Sequence, residues 1–340
     1  MRNIVVFDEY GQVDLKPSKL LDEYIRLSEK DVFSLLIKDK KLENCACPGC
    51  ALSESSNSFE KFGLTYHECS SCGTLYVSPR PVRKAINEYY LYSSARKFWR
   101  DELSRATEEK RRQKIIKPRF DWVVDSTREY LPGAKHLVDV NTVQYEYVQE
   151  MALAGLFEKK TLLNPYLDLS RRKLPAGIEK AKNAGDELNL KAKADAILLF
   201  EVIDRAFSVD DILGRARKLL NPGGLVFITA ILASGFDLQI LRESAENLYP
   251  PDRMNVFTVE GMKMLYERNG FECMEFSTPG ILDVEIVRDM ARRRPDIKMS
   301  KFMKYVLKSR GQDVRSAFQE FLQANLLSSY GRIIIRKKGD

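Results

Sequence analysis

The sequence predicts an α/β fold: a mostly parallel, doubly wound sheet preceded by a small cysteine-bearing module and extended by helices. Three observations predict it. From residue 137 onward, short apolar runs alternate with helical patterns, as βαβ units require. Five of the six cysteines fall between positions 45 and 72. A chain of 340 residues has room for one large α/β domain and one small module.

Residues 1–44 form an N-terminal extension. The segment 45–82 carries "CPGC" at 47–50 and "CSSC" at 69–72, and "GTLYVSPRP" closes it with a strand. Residues 83–132 read as a helical linker, with apolar positions Phe98, Trp99, Leu103, Ile115, Ile116, Phe120, Trp122 and Val123 along one or two long charged helices. The α/β domain spans 133–280. Its strands are "HLVDV", "TLLNP", "ADAILLFEV" and "LVFITAI", and "YEYVQEMALAG", "LSRRKLPAGIEKAKNAG" and "VDDILGRARKLL" are the intervening helices. "FTVEGMKMLYERNGF" is a capped helix that stops at Gly270. Residues 281–340 add helices near 284–295, 300–309 and 312–326 and a final strand, "GRIIIRKK".

Each C-x-x-C bends the chain so that two thiolates meet one metal, and two such knuckles complete a tetrahedral four-sulfur shell. Cys47, Cys50, Cys69 and Cys72 are therefore the expected zinc ligands. A closed shell leaves no position for a substrate, so the zinc is structural. Disulfides are the weaker alternative in a reducing compartment. Cys45 and His67 are near enough to be rival ligands, but they lie outside the knuckle spacing, and their ordinary reading is as bystanders. Cys273, in a strand, reads as a core thiol.

The opening "MRNIVVFDEYGQ" is too short and too acidic for a signal peptide, and no apolar stretch approaches a membrane span, so a cytoplasmic protein is expected. The net charge of +7 is spread over "EEKRRQKIIKPR" (108–119), "SRRK", "ARRRP" and "RKK". Runs of this kind are usually solvated helix faces, which argues against nucleic-acid binding. An anionic small molecule fits the mild basic bias.

The order of motifs resembles bacterial class I S-adenosylmethionine-dependent methyltransferases with an N-terminal zinc ribbon, found with polysaccharide and sugar biosynthesis. The residues that carry the resemblance are the two knuckles with "CGTLYVSPRP", the "YY" at 89–90, "ADAILLFEVID" (194–204), "LLNPGGLVFITA" (219–230), "FTVEGMKMLYERNGF", "TPGILDVEIV" (278–287) and "FQEFLQANLLSSYGRIIIRKK" (318–338). The resemblance implies a Rossmann-like methyltransferase sheet and an S-adenosylmethionine site after its first strand.

In that family the first strand ends in aspartate, here Asp139, and a glycine-rich turn follows that lets backbone approach the cofactor. Asn141, Val143 and Tyr145 stand at the glycine positions, so the cofactor loop is degenerate. Asn164 stands where an acidic residue accepts the ribose hydroxyls, and Asp186 stands at the adenine contact, where its ordinary reading is a turn residue. Arg205 and Arg253 replace two histidines of the family, and arginine keeps its charge and cannot act as a base. Glu201 and Asp204 are the remaining acid/base candidates, although helix capping or solvation is an ordinary role for Asp204. If both arginines face one cleft, either a carboxylate lies between them as an internal cluster or the cleft binds an anion such as a sugar phosphate.

Two functions follow from the resemblance. One is methyl transfer to a sugar nucleotide or glycan intermediate. The other is a catalytically inactive relative that acts as a binding or scaffold partner for an enzyme of the same pathway.

Overall fold

The computed structural model describes residues 15–140, 145–163, 173–181, 190 and 192–339. Two short strands, β1 (Leu42–Glu43) and β5 (Arg80–Pro81), pair antiparallel and bracket the cysteine module. Between them β2 (Ser55–Lys61), β3 (Leu64–Cys69) and β4 (Leu75–Val77) form an antiparallel meander. The large sheet contains β6 (His136–Val140), β7 (Lys159–Leu163), β8 (Ile178–Lys180), β9 (Ala194–Phe200), β10 (Leu220–Ile231), β12 (Phe271–Ser277) and β13 (Tyr330–Lys337). Their order is β12-β13-β10-β9-β6-β7-β8. β6 to β10 run parallel, and β13 is inserted antiparallel between β10 and β12. The remaining strand, β11 (Asn255–Val256), leaves the large domain and pairs with β4, so the module's sheet has the order β11-β4-β3-β2.

The apolar runs of the central strands are buried on both faces, because successive side chains point to opposite sides of a sheet. Val138, Ile197, Leu199, Val226 and Ile228 enter one core with the Val209–Leu219 and Val259–Arg268 helices. Their neighbours Leu137, Leu198, Leu225, Phe227 and Ile334 enter the other, against the Lys117–Tyr130 and Tyr145–Leu153 helices. A third core joins the cysteine module to the C-terminal helices, with Tyr66, Val77, Val256, Val287 and Leu322 packed together.

Several expectations are corrected. The helix expected over 169–185 gives way, within its described part, to the strand β8, which pairs with β7 after Gly177 at φ 80°. Pro175 and a left-handed glycine interrupt a helix, and Ile178 is then free to pair. Cys273 is exposed rather than in the core: β12 is an edge strand, and its pairing with β13 shifts register between Cys273 and Glu275. Within the basic run 108–119, Arg111 and Arg119 are buried, whereas the run was expected to be solvated. Among the described residues, no helix is long and apolar enough to cross a membrane.

Candidate ligand cleft and four-cysteine site

In a doubly wound sheet, ligands bind beyond the carboxyl ends of the strands where the winding reverses. That reversal lies between β6 and β9, with β7 and β8 on one side and β10 on the other. Asp139 sits near the end of β6, fully buried and in register with Leu162 and Leu198. Asn141, Val143, Asn164 and Asp186 lie outside the described residues. Tyr145 opens the helix after β6, and its hydroxyl donates to the Lys173 carbonyl at 2.6 Å. That bond ties the start of the helix to the segment that follows β7.

At the end of β9 the chain turns sharply. Glu201 has a φ of 55°, a left-handed conformation that costs a non-glycine residue about 1–2 kcal/mol. Its N–H donates to the Thr229 carbonyl at 2.8 Å, and its own carbonyl accepts from Arg205 Nε at 2.7 Å. The Glu201 carboxylate lies between two guanidinium groups, Arg119 at 3.0 Å and Arg253 at 2.9 Å. Arg253 also reaches Asp204 Oδ2 at 3.2 Å, and the same oxygen accepts the Ile231 N–H at 3.2 Å. The structure thus brings four sequence-selected residues, Glu201, Asp204, Arg205 and Arg253, into one cluster and adds Arg119.

Burial would raise the Glu201 carboxyl, but Arg253, Arg119 and Arg205 hold it well below the usual range. It is therefore a clamped anion, and a proton acceptor in this state would first have to leave two arginines. Asp204 is fully buried, and burial pushes its carboxyl up to about 7 against the attraction of Arg253. Burial alone would lower Arg253, but Asp204 and Glu201 raise it above its ordinary value. The two arginines sought as histidine replacements meet at Glu201, Arg253 through its carboxylate and Arg205 through its backbone carbonyl, so carboxylates of the protein itself supply most of the counter-charge.

Sequence reasoning missed Arg119. The signal was present: Arg119 lies three residues after Ile116 and four before Val123, both buried, so it sits on the apolar stripe of its helix. Behind the cluster, Asp252 accepts from Tyr24 and Tyr90 hydroxyls at 3.2 Å each and from Arg96 at 3.1 Å. Tyr90 belongs to the "YY" pair quoted above.

The four cysteines of the two knuckles are the one metal-competent group of His, Cys, Asp or Glu side chains found among the described residues. Their Sγ atoms lie within 4.8 Å of one another, with Cys47–Cys72 at 3.5 Å and Cys50–Cys69 at 3.4 Å. A tetrahedral zinc with Zn–S of about 2.3 Å needs sulfurs about 3.8 Å apart, so this donor set fits zinc. Cys45 and His67 are not members of the four-thiol group: Cys45 packs against it with its Sγ approaching the Val77 carbonyl, and His67 Nε2 contacts the Ser78 carbonyl.

The knuckles are clamped to the large domain. Thr258 Oγ1 donates to the Cys72 carbonyl at 2.5 Å and accepts from the Gly261 N–H at 2.9 Å, capping the helix that follows. A Cβ at Gly261 would come 2.1 Å from Thr74 Oγ1, so only glycine permits this approach. Arg268 donates to the carbonyl of Pro48 and forms a bidentate contact with Asp210.

The profile of a family described as "Methyltransferase domain" matches residues 95–275, more than half of the chain. No curated protein matches the sequence. Among solved structures, the chain is similar to the O-methyltransferase of a trans-AT PKS multienzyme from Brevibacillus brevis, in complex with S-adenosyl-L-homocysteine. Identity is 14%, coverage 73% of this chain and 80% of that one, and the TM-score 0.45. An O-methyltransferase family protein from Burkholderia thailandensis aligns at 11% identity over 74% of this chain and 63% of that one, with TM-score 0.44. A putative S-adenosylmethionine-dependent methyltransferase from Listeria monocytogenes aligns at 10% identity over 65% and 99% of the two chains, with TM-score 0.39.

Proposed function

The chain belongs to the methyltransferase-domain family, and on that premise we propose an S-adenosylmethionine-dependent methyltransferase-like protein of the cytoplasm that acts on an anionic small molecule of the sugar-nucleotide or glycan type. The observation that carries this reading is the winding reversal between β6 and β9, with Asp139 fully buried near the end of β6 and a left-handed turn at Glu201 after β9. When bound, the cofactor would supply an electrophilic methyl group for in-line displacement. Asp139, near the end of β6, would help hold it, and Asn141, Val143, Asn164 and Asp186 complete the set that the resemblance names. With Glu201 clamped and Asp204 fully buried, the contribution of the chain's own residues is positioning and exclusion of water rather than proton abstraction.

A second reading is favoured by a specific observation. Arg119, Arg253, Glu201 and Asp204 are joined by ion pairs among themselves, as in a relative that has given up catalysis and serves as a binding or scaffold partner. Calorimetric titration with S-adenosylmethionine and its demethylated product separates the two. Micromolar binding supports the first reading, and transfer of labelled methyl to a sugar-nucleotide pool would establish the activity. No heat with either compound supports the second.

We also propose that Cys47, Cys50, Cys69 and Cys72 hold one structural zinc. The four thiols support it by their mutual approach. Metal analysis of purified protein is expected to find about one zinc per chain, and a folded, metal-free preparation would refute the site.

A further inference from the structure

Beside the arginine–carboxylate cluster lies a cavity of about 240 Å³ whose wall includes Arg119 and Arg253. It opens between the residues at the start of the described chain, the Lys117–Tyr130 helix, the end of β10 and the start of β13. Much of its lining is apolar, with Ile115, Ile231, Leu241, Ile281, Ile286 and Met290 contributing.

The polar groups of the wall divide unevenly. Its two carboxylates are already engaged: Glu246 takes a bidentate contact from Arg293, and Asp283 accepts from Ser328, Gln319 and the Ser329 N–H. Several donors are not engaged, among them Arg119 Nε and Arg253 Nε on the side of the cluster. Lys16 makes no hydrogen bond or ion pair with any described residue, and the part of it left uncovered lines the cavity. The Tyr330 hydroxyl and Arg332 Nε are buried without a hydrogen-bond partner. The Arg332 guanidinium lies over the Trp122 and Tyr330 rings, 5.6 and 5.9 Å from their centroids. Asn247 Oδ1 is the bare acceptor that accompanies them. Buried donors without acceptors are costly unless a ligand completes them.

We propose that this cavity binds a small anion with an apolar body, its charged head taken by Lys16, Tyr330 and Arg332 and its body lying against Ile115, Ile231 and Ile286. The inference does not depend on methyl transfer, since these groups are in place without a cofactor. A carboxylate and a phosphate share the required head chemistry, and the apolar wall disfavours a free sugar as the body.

The charged groups that act on Lys16 are Arg253 and Arg111 on one side and Glu201 and Glu246 on the other. Burial first, and then the two arginines, lower its ammonium to about 8. An anion at Lys16 therefore draws a proton with it near pH 8, and binding should weaken as the pH rises above that value.

The test uses the full chain as purified and reads binding by calorimetry without cofactor. The probes are octanoate, octyl phosphate, octanol, octyltrimethylammonium and glucose 1-phosphate. One or both of the octyl anions should bind roughly tenfold or more tighter than octanol, as charge-assisted hydrogen bonds imply. Octyltrimethylammonium should bind least, and the preferred anion identifies the head group. Lys16→Met should abolish the preference for the anion over octanol while leaving the melting temperature of the unliganded protein unchanged or higher, because it removes a desolvated charge. Equal binding of octanol and both octyl anions, binding of none of the octyl probes, tighter binding of glucose 1-phosphate, or an unchanged preference in Lys16→Met would each overturn the proposal.

Discussion

The thiol site and the arginine–carboxylate cluster are built in opposite ways, although the same short stretch of chain serves both. The thiol site gathers four like ligands from two knuckles only 18 residues apart. The arginine cluster gathers unlike charges from residues 119, 201, 204 and 253, and its ion pairs close on themselves. The first donor set suits an ion from outside. The second is paired mainly within the protein. A set of buried ligands of one kind argues for a missing ion, whereas a buried set that neutralises itself argues for architecture or for a cleft already filled by protein.

Four experiments can break or sharpen this contrast. The largest effect is expected for Cys69→Ser, or for a chelator acting on the wild type. Losing a structural zinc removes binding free energy on the order of 10 kcal/mol that supports the fold. A large fall in melting temperature with loss of bound zinc is expected, and unchanged melting after complete metal removal would break the comparison on the thiol side.

Arg253→Ala comes second. It leaves Glu201 with one guanidinium and Asp204 with none, and breaking a buried pair in this way costs about 3–5 kcal/mol. Denaturant unfolding checks this, and a loss below about 1 kcal/mol would show that the cluster is held open by water.

Asp204→Asn gives a smaller effect with a definite sign. The Asp204 carboxyl lies near 7 in the folded protein against an ordinary value of 3.8. A raised carboxyl stabilises the fold below the unfolded value and loses that contribution as pH rises through the folded one. Wild-type stability should therefore fall between about pH 4 and pH 7 by a part that Asp204→Asn removes. The variant should be close to wild type at about pH 4 and below, and should gain on it progressively up to about pH 7. Parallel pH–stability curves for the two proteins would rule the titration out.

The smallest effect is expected for Thr258→Ala. It removes a helix cap worth about 1 kcal/mol together with the bond to the Cys72 carbonyl. Thermal melting reads the loss, and an accompanying release of zinc at low chelator concentration would show that the cap also steadies the knuckle.

The contrast also explains what was legible in the sequence. Cys47, Cys50, Cys69 and Cys72 could be named in advance because a knuckle is local: its spacing is its geometry. The strands β6, β7, β9 and β10 were equally clear, since a buried parallel strand must be apolar on both faces. The resemblance placed Arg205 and Arg253, but only the fold decides that both contact Glu201. Arg119 was lost among the basic residues of 108–119, because charge marks it as exposed unless its place on the apolar stripe is weighed. Lys16 offered no periodicity at all. Its role is set by what packs around it and by the absence of a partner, and neither is written in neighbouring residues.

The two-residue strand β11 carries a mechanical consequence. It extends the cysteine module's sheet while belonging, by chain, to the large domain. Arg253 lies two residues before it and Thr258 two residues after it. Within it, Asn255 donates to the carbonyls of Ile203 and Ala206 on either side of Asp204 and Arg205, and accepts from Arg80 of the module. The small module is therefore no detachable bead. Stripping metal from the knuckles should transmit slack along β11 into the turn that holds the arginines, and the two lobes should melt in a single cooperative transition rather than in sequence.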